Sequence, residues 1–357
     1  MFSHTTNLFS LSRLRVAVGL ACLAGAPVMA APLASGDSAV IQPGDAHQSG
    51  FLESGAARST STQTVLGLYN AAPVIWNAET VGLRSRFDEL RREPSTTGLW
   101  LRAQGARYNV SPVGATGYEL RHGGLTLGAD ATLSEQFTVG VLVGTSQSNL
   151  DFSKGTKGRI DSAYLGAYAG WADADGLYVD ALIKANRFSN RADVQMSDSV
   201  QARGKYHDYG IGGSLELGKR FDLAEGWYAK PYGQMAALSV QGKDYRLSNG
   251  LEASNNSVRS LTGKLGGQFG RTLAMAGGGT LQPYVKIAAT REFANGNQVR
   301  INDQTIDNSL AGSGVELGTG FVAQLSPAWQ LNADFDYGRG ERVDQAYGVS
   351  AGLRYAF

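Results

Sequence analysis

The chain of 357 residues carries 32 Lys and Arg against 31 Asp and Glu, a balance that gives neither nucleic acid nor an acidic surface a reason to bind it. Glycine is abundant at 47 residues while charged residues make up only 18%. So many small residues at moderate hydrophobicity fit closely packed strands with two unlike faces and do not fit a helical bundle.

Residues 1–30 read as a secretory signal peptide. Arg13 and Arg15 form a positive start, Val16 to Ala26 a short apolar core, and Val28-Met29-Ala30 a small-residue cleavage site. That core is shorter than the ~20 apolar residues of a transmembrane helix, and no later stretch supplies one. The only cysteine, Cys22, lies in this leader, which excludes disulfides and thiol chemistry from the mature chain. Export without an anchor helix leaves three destinations: the periplasm, the medium, or a membrane barrel.

Residues 31–72 are rich in Ser, Gly, Ala and Thr. They offer too little apolar surface to offset the entropy of ordering, and disorder is the expectation. From Pro73 the character changes. Proline suits a first helical turn, and Trp76, Leu83, Phe87 and Leu90 fall on one helical stripe. Glu79, Arg84, Arg86, Asp88, Glu89, Arg91 and Arg92 occupy the other faces, and Pro94 stops the helix before a short polar link. The spacing predicts a helix over 73–93.

Past Gly98 the period becomes two and stays so to the end. In the last segment Tyr347, Val349, Ala351, Leu353, Tyr355 and Phe357 fall on one face, with Gly348, Ser350, Gly352, Arg354 and Ala356 on the other. The run from Leu177 does the same, with Val179, Ala181, Ile183 and Ala185 against Asp180, Lys184 and Asn186. Soluble sandwiches also alternate, but three features favour a membrane. The strands run to about 11–15 residues where soluble ones average ~5–6 and tilted membrane strands need ~9–11. Aromatics such as Trp171, Trp227, Trp329, Tyr355 and Phe357 end the apolar face, as interfacial girdles do. Short turns near 133–136, 174–176 and 325–328 interleave with longer loops near 191–202, 241–257 and 294–308, the asymmetry of a membrane barrel. The expectation is an all-β transmembrane fold over 98–357: a twelve-stranded antiparallel outer-membrane β-barrel, closed because hydrocarbon leaves no backbone group to water.

The order of short motifs resembles the C-terminal translocator domain of autotransporters, in particular the pertactin and Bordetella serum-resistance group. It begins with Trp76, Ala78-Glu79, Leu83, Arg86 and Glu89-Leu90-Arg91 in the helix. It continues with Trp100 and Arg102, Leu127-Gly128-Ala129-Asp130, Gly204-Lys205-Tyr206 and Leu215-Glu216-Leu217-Gly218-Lys219-Arg220. Gln282-Pro283-Tyr284-Val285-Lys286, Val315-Glu316-Leu317-Gly318 and the terminal Arg354-Tyr355-Ala356-Phe357 complete it. The resemblance implies type V secretion through a barrel whose pore is threaded by the helix, with residues 31–72 as a short passenger remnant shown at the cell surface. It also implies that Tyr355 and Phe357 belong to a signal read by the barrel-assembly machinery, with periplasmic chaperones as further partners. In part of this family an asparagine cyclises inside the pore and releases the passenger; Asn70, before Ala71, stands about where that residue would lie.

Asp130, Glu216 and Glu316 sit among glycines on the lumen face, and Arg84, Arg86 and Arg91 lie on the helix. The expectation is that these acids pair with those arginines in a poorly hydrated pore; the alternative is ordinary lumen charges facing water. Ser248-Asn249-Gly250 resembles part of an outer-membrane phospholipase motif, but the place of its histidine is held by Arg246, which cannot act as a base. His122 and His207 fall on different strands, and no cofactor, metal or phosphate motif is present. No enzyme is expected. The alternatives are a surface barrel whose loops bind a host or matrix partner and a small-solute pore.

Overall fold

The structure is a computed structural model. It describes residues 59–90, 97–152, 156–195, 201–246, 248, 251–254, 257–276, 278–301 and 304–357. The leader, residues 31–58, Arg91 and Asn249-Gly250 lie outside the described residues.

Twelve long strands follow one another: β1 (Gly98–Val110), β2 (Tyr118–Ser134), β3 (Phe137–Asp151), β4 (Lys157–Ala172), β5 (Leu177–Gln195) and β6 (Gln201–Lys219), then β7 (Trp227–Gln241), β8 (Ser257–Arg271), β9 (Thr280–Glu292), β10 (Gly312–Gln324), β11 (Trp329–Gly340) and β12 (Val343–Ala356). Each pairs antiparallel with the next, and β1 pairs with β12 from Gly98 opposite Ala356 to Val110 opposite Val343. The sheet is therefore a closed ring, and closure removes the free edge that hydrocarbon would leave unpaired. Among the described residues no helix is long and apolar enough to cross a membrane.

The pleat sorts the side chains. Across β1 to β6, Leu101, Leu127, Val143, Leu165, Ala185 and Ile211 stand in one directly opposed row on the outside. The alternate positions, among them Arg102, Thr126, Tyr164 and Asn186, are buried in the lumen. Lumen aromatics lie over glycines of the neighbouring strand: a Cβ at Gly144 would come within 2.3 Å of the Tyr164 ring, so only glycine permits that approach. Pro231 and Pro283 remain in register opposite Gly267 and Phe321, near the short-turn ends of β7 and β9, where a lost ladder bond is best tolerated.

At the long-loop end four short strands form a second sheet, in the order Gln304–Asp307, Gln298–Ile301, Glu252–Ser254, Asp244–Arg246. Two loops contribute to it, so it exists only once β7–β8 and β9–β10 have been brought together.

The helix, α1, runs from Thr60 to Leu90, 31 residues. This corrects the expected start at Pro73 and, for residues 59–72, the expected disorder. Ser59 caps the helix, its Oγ accepting from the Thr62 N–H at 3.3 Å. Pro73 lies well inside rather than in the first turn, where it deprives the Tyr69 carbonyl of its helical donor. Tertiary burial overrides that loss: Val65, Leu66, Leu68, Tyr69, Ala71, Ala72, Val74, Ile75 and Trp76 are all buried. A helix apolar around its whole circumference is stable only when enclosed.

Candidate functional site

The site is the seat of α1. Only a short link separates Leu90 from Gly98, so the C-terminal end of the helix lies near the start of β1 and its N-terminal end points to the long loops. At 1.5 Å per residue α1 is about 46 Å long, longer than the ~30 Å hydrocarbon layer. It packs against β1–β5, β7 and β8.

About two-thirds of the way along α1, Glu79 is fully buried and enters a socket on the wall. Lys184 of β5 donates to its Oε2 at 2.6 Å, and Asn186 donates to the same oxygen at 2.7 Å. Ser146 of β3 donates to Oε1 at 2.8 Å. The Lys184 Nζ also lies 3.3 Å from the Trp76 carbonyl oxygen, 4.9 Å from the Trp76 ring and 4.8 Å from that of Tyr164. A buried ion pair is favourable only if its remaining valences are met, and here hydroxyl, amide and π-faces meet them. The strands make room for this. Lys184 stands opposite Gly166 on β4 and Gly212 on β6, and a Cβ at Gly212 would be 2.8 Å from the Trp76 ring.

Above the socket the seat becomes apolar. Gly67 meets Phe152 and Tyr118 so closely that a Cβ would fall 2.5 Å from the Phe152 ring. The Tyr69 ring lies 5.6 Å from that of Tyr206, and its hydroxyl donates to the Lys243 carbonyl at 2.7 Å. The small sheet closes over this end: Leu251, Ala253, Val299, Ile301, Ile306 and Leu310 share one apolar cluster with the upper half of α1.

Asn70 is buried within the helix. Its Oδ1 accepts from the Tyr118 hydroxyl at 2.5 Å and its Nδ2 donates to Asn308 Oδ1 at 2.8 Å, while Asn308 Nδ2 donates to the Leu66 carbonyl at 2.9 Å. Both ends of the amide are engaged.

Asp130, Glu216 and Glu316 do face the lumen, each with a partner on the wall. Tyr168 donates to Asp130 at 2.9 Å and Arg354 lies 3.5 Å from it; Tyr178 donates to Glu216 at 2.8 Å; Lys264 donates to Glu316 at 2.5 Å. The side chains of Arg84 and Arg86, like Arg91, lie outside the described residues. His122 is buried on β2 against Ser148 at 3.0 Å and His207 lies on β6, so the structure does not bring them together. Tyr355 and Phe357 lie on the outer face at the short-turn end, the Tyr355 ring tilted against that of Trp329 at 4.8 Å, and the Phe357 N–H donates to the Thr97 carbonyl at 3.0 Å.

On the β9–β11 side α1 leaves a cleft of about 210 Å3 beside Trp76, Asn77 and Thr80. On its wall Lys286 meets Asp334 at 3.0 Å and Asp336 at 2.8 Å, and Arg102, outside the cleft, meets Asp334 at 2.7 Å. Of the socket residues, the sequence placed Lys184 and Asn186 on the polar face of their strand and did not single out Ser146. The signal that marks them is a lumen lysine flanked on both neighbouring strands by glycine.

Comparison with known proteins places this architecture. Residues 99–336 match the family described as the autotransporter beta-domain. The pertactin autotransporter of Bordetella bronchiseptica is 33% identical over 308 residues, which cover 85% of this chain and 33% of pertactin. The chain spans no more than about a third of the length of the curated relatives it matches. The beta domain of the Bordetella autotransporter BrkA superposes with a TM-score of 0.63 at 28% identity, covering 74% of this chain and 100% of that one. The translocator domain of NalP from Neisseria meningitidis gives 0.67 at 16% identity, covering 82% and 99%, a likeness of fold.

Proposed function

Because the chain belongs to the autotransporter family, its barrel residing in the outer membrane of a Gram-negative bacterium, we propose that it exports its own N-terminal segment, displays it at the cell surface and is then held shut by α1. The domain is a translocator and not an enzyme. Its work is mechanical: fold into the bilayer, pass the preceding chain outward, and retain the helix as a stopper.

One observation carries this reading. The only buried acid on the described face of α1, Glu79, is met by three wall donors from β3 and β5, an arrangement without purpose unless the helix rests in the lumen. The apolar lid supports the same reading, because loops given to covering α1 are less available as ligand-binding arms. Short turns face the periplasm and long loops the exterior in such barrels, so the segment before Ser59 leaves on the outer side.

Protease treatment of intact cells, with an epitope inserted near Asp37, tests the display. Loss of the epitope while the barrel stays protected is the expected result. Protection in intact cells together with digestion after lysis would place the segment in the periplasm and overturn the proposal.

A further inference from the structure

The outward residues of β1–β6 change character row by row toward the long-loop end. Beyond the apolar row of Leu101, Leu127 and Leu165 comes a mixed row of Ala103, Leu125, Thr145, Ala163, Arg187 and Tyr209. Four residues further along each strand stand Tyr347, Arg107, Arg121, Asn149, Arg159, Arg191 and Lys205, each directly opposite the next across seven strands from β12 to β6. At ~3.4 Å per residue and ~40° tilt that row lies about 10 Å above the mixed one, at headgroup depth.

Five of its seven members are cations, and Arg107–Arg121, Arg159–Arg191 and Arg191–Lys205 are like charges in direct opposition, an arrangement that destabilises a sheet unless anions intervene. Nearby carboxylates meet part of the demand. Glu119 contacts Arg107 and Arg121, Asp151 contacts Arg121, and Asp161 lies 2.9 Å from Arg159 and 4.0 Å from Arg191. Three carboxylates thus serve four arginines, with Lys205 beside them and Arg187 two face-steps nearer the membrane. The arginine side chains keep 45–57% of their surface exposed. The opposite rim is built differently: there aromatics dominate the outward face, with Trp227 stacked on Phe269 at 5.0 Å and Trp329 near Tyr355 at 4.8 Å, and its cations Lys219 and Arg271 lie singly over the rings of Phe221 and Trp227. A continuous row of directly opposed cations is therefore found at the long-loop end.

We propose that this face of the barrel binds the phosphorylated glycolipid of the outer leaflet, the row's guanidinium groups taking its phosphate oxygens. Arginine presents planar, paired donors to phosphate and stays charged at any working pH. The glycolipid's acyl chains would lie against the apolar rows below, so one ligand meets both halves of the surface. The barrel is fastened in the leaflet that its displayed segment must cross.

The test is native mass spectrometry of the full barrel taken from phosphatidylcholine vesicles doped with lipid A bearing both phosphates, or with the same lipid stripped of phosphate. The expected result is retention of the phosphorylated lipid alone, weakened about fivefold for each cation neutralised, as in R159Q with R191Q. R159K with R191K should keep most of it, and heat-modifiable gel mobility verifies that both variants fold. Equal retention of the two lipids, equal retention by wild type and the Gln variant, or complete displacement by inorganic pyrophosphate would each overturn the proposal, the last in favour of a soluble anion.

Discussion

Lys184→Met isolates the mid-pore socket. The substitution keeps the length of the side chain but removes its charge, leaving the Glu79 carboxylate fully buried with only Ser146 and Asn186 as donors. Removing one partner of a buried ion pair destabilises by about 3–5 kcal/mol, which is about two to three and a half powers of ten in an opening equilibrium. The helix should not leave altogether, because Leu66, Leu68, Ile75 and Trp76 above the socket are fully buried and each contributes roughly 1.5–3 kcal/mol. Hydrogen exchange followed by mass spectrometry, on barrels in vesicles, reads the helix directly. Amides near Glu79 should exchange faster by that factor, while those of β1–β12 keep wild-type rates. Adding Glu79→Gln removes the stranded charge and should restore most of the protection, so the two substitutions are strongly non-additive. If Lys184→Met leaves exchange unchanged, or if the double variant is as loose as the two singles added together, the socket is not what seats the helix.

Three other outcomes follow from the same geometry. Gly67→Leu drives a side chain into the Phe152 ring and should loosen the upper seat by about 1–3 kcal/mol; cleavage by added protease between residues 59 and 67 would register it, with the barrel's heat-modifiable mobility unchanged. The Asn70–Ala71 bond should stay intact: ring closure needs Nδ2 free and aimed at the Asn70 carbonyl carbon, and here Nδ2 is donated to Asn308. The intact mass of the membrane-purified chain decides this, and a fragment beginning at Ala71 would refute it. Phe357→Ala removes the exposed terminal aromatic beside Tyr355 and should lower the fraction of barrel recovered in the outer membrane while leaving in vitro folding in detergent intact; equal recovery would show that the terminal ring is not read during assembly.

The barrel was legible in the sequence because a strand's pleat is a local property. Alternation of Val179, Ala181 and Ile183 with Asp180 and Lys184 fixes which face meets lipid whatever the neighbours are, and the twelve strands follow with the expected turns. Interior aromatics over glycines were not legible, since Gly144 and Tyr164 are adjacent only through the register of β3 with β4.

The helix separates the two levels of information most clearly. Local composition marked the residues after Pro73 as helical, and left Ser59 to Ala72 looking unstructured: threonine, serine and glycine have weak helix propensity, and an interior proline argues against continuity. What reverses that judgement is burial. Val65, Leu66, Leu68 and Tyr69 acquire an enclosure only when loops from 242–256 and 293–311 close into a sheet above them. Glu79 shows the same division. Its charge and helical position are written in the chain, but Lys184 lies 105 residues away, and nothing short of the closed cylinder sets one against the other. Sequence alone determined the faces, the strand count and the place of the membrane; the tertiary structure decided what fills the pore and what holds it there, because a partner across a lumen is a matter of distance in space and leaves no period along the chain.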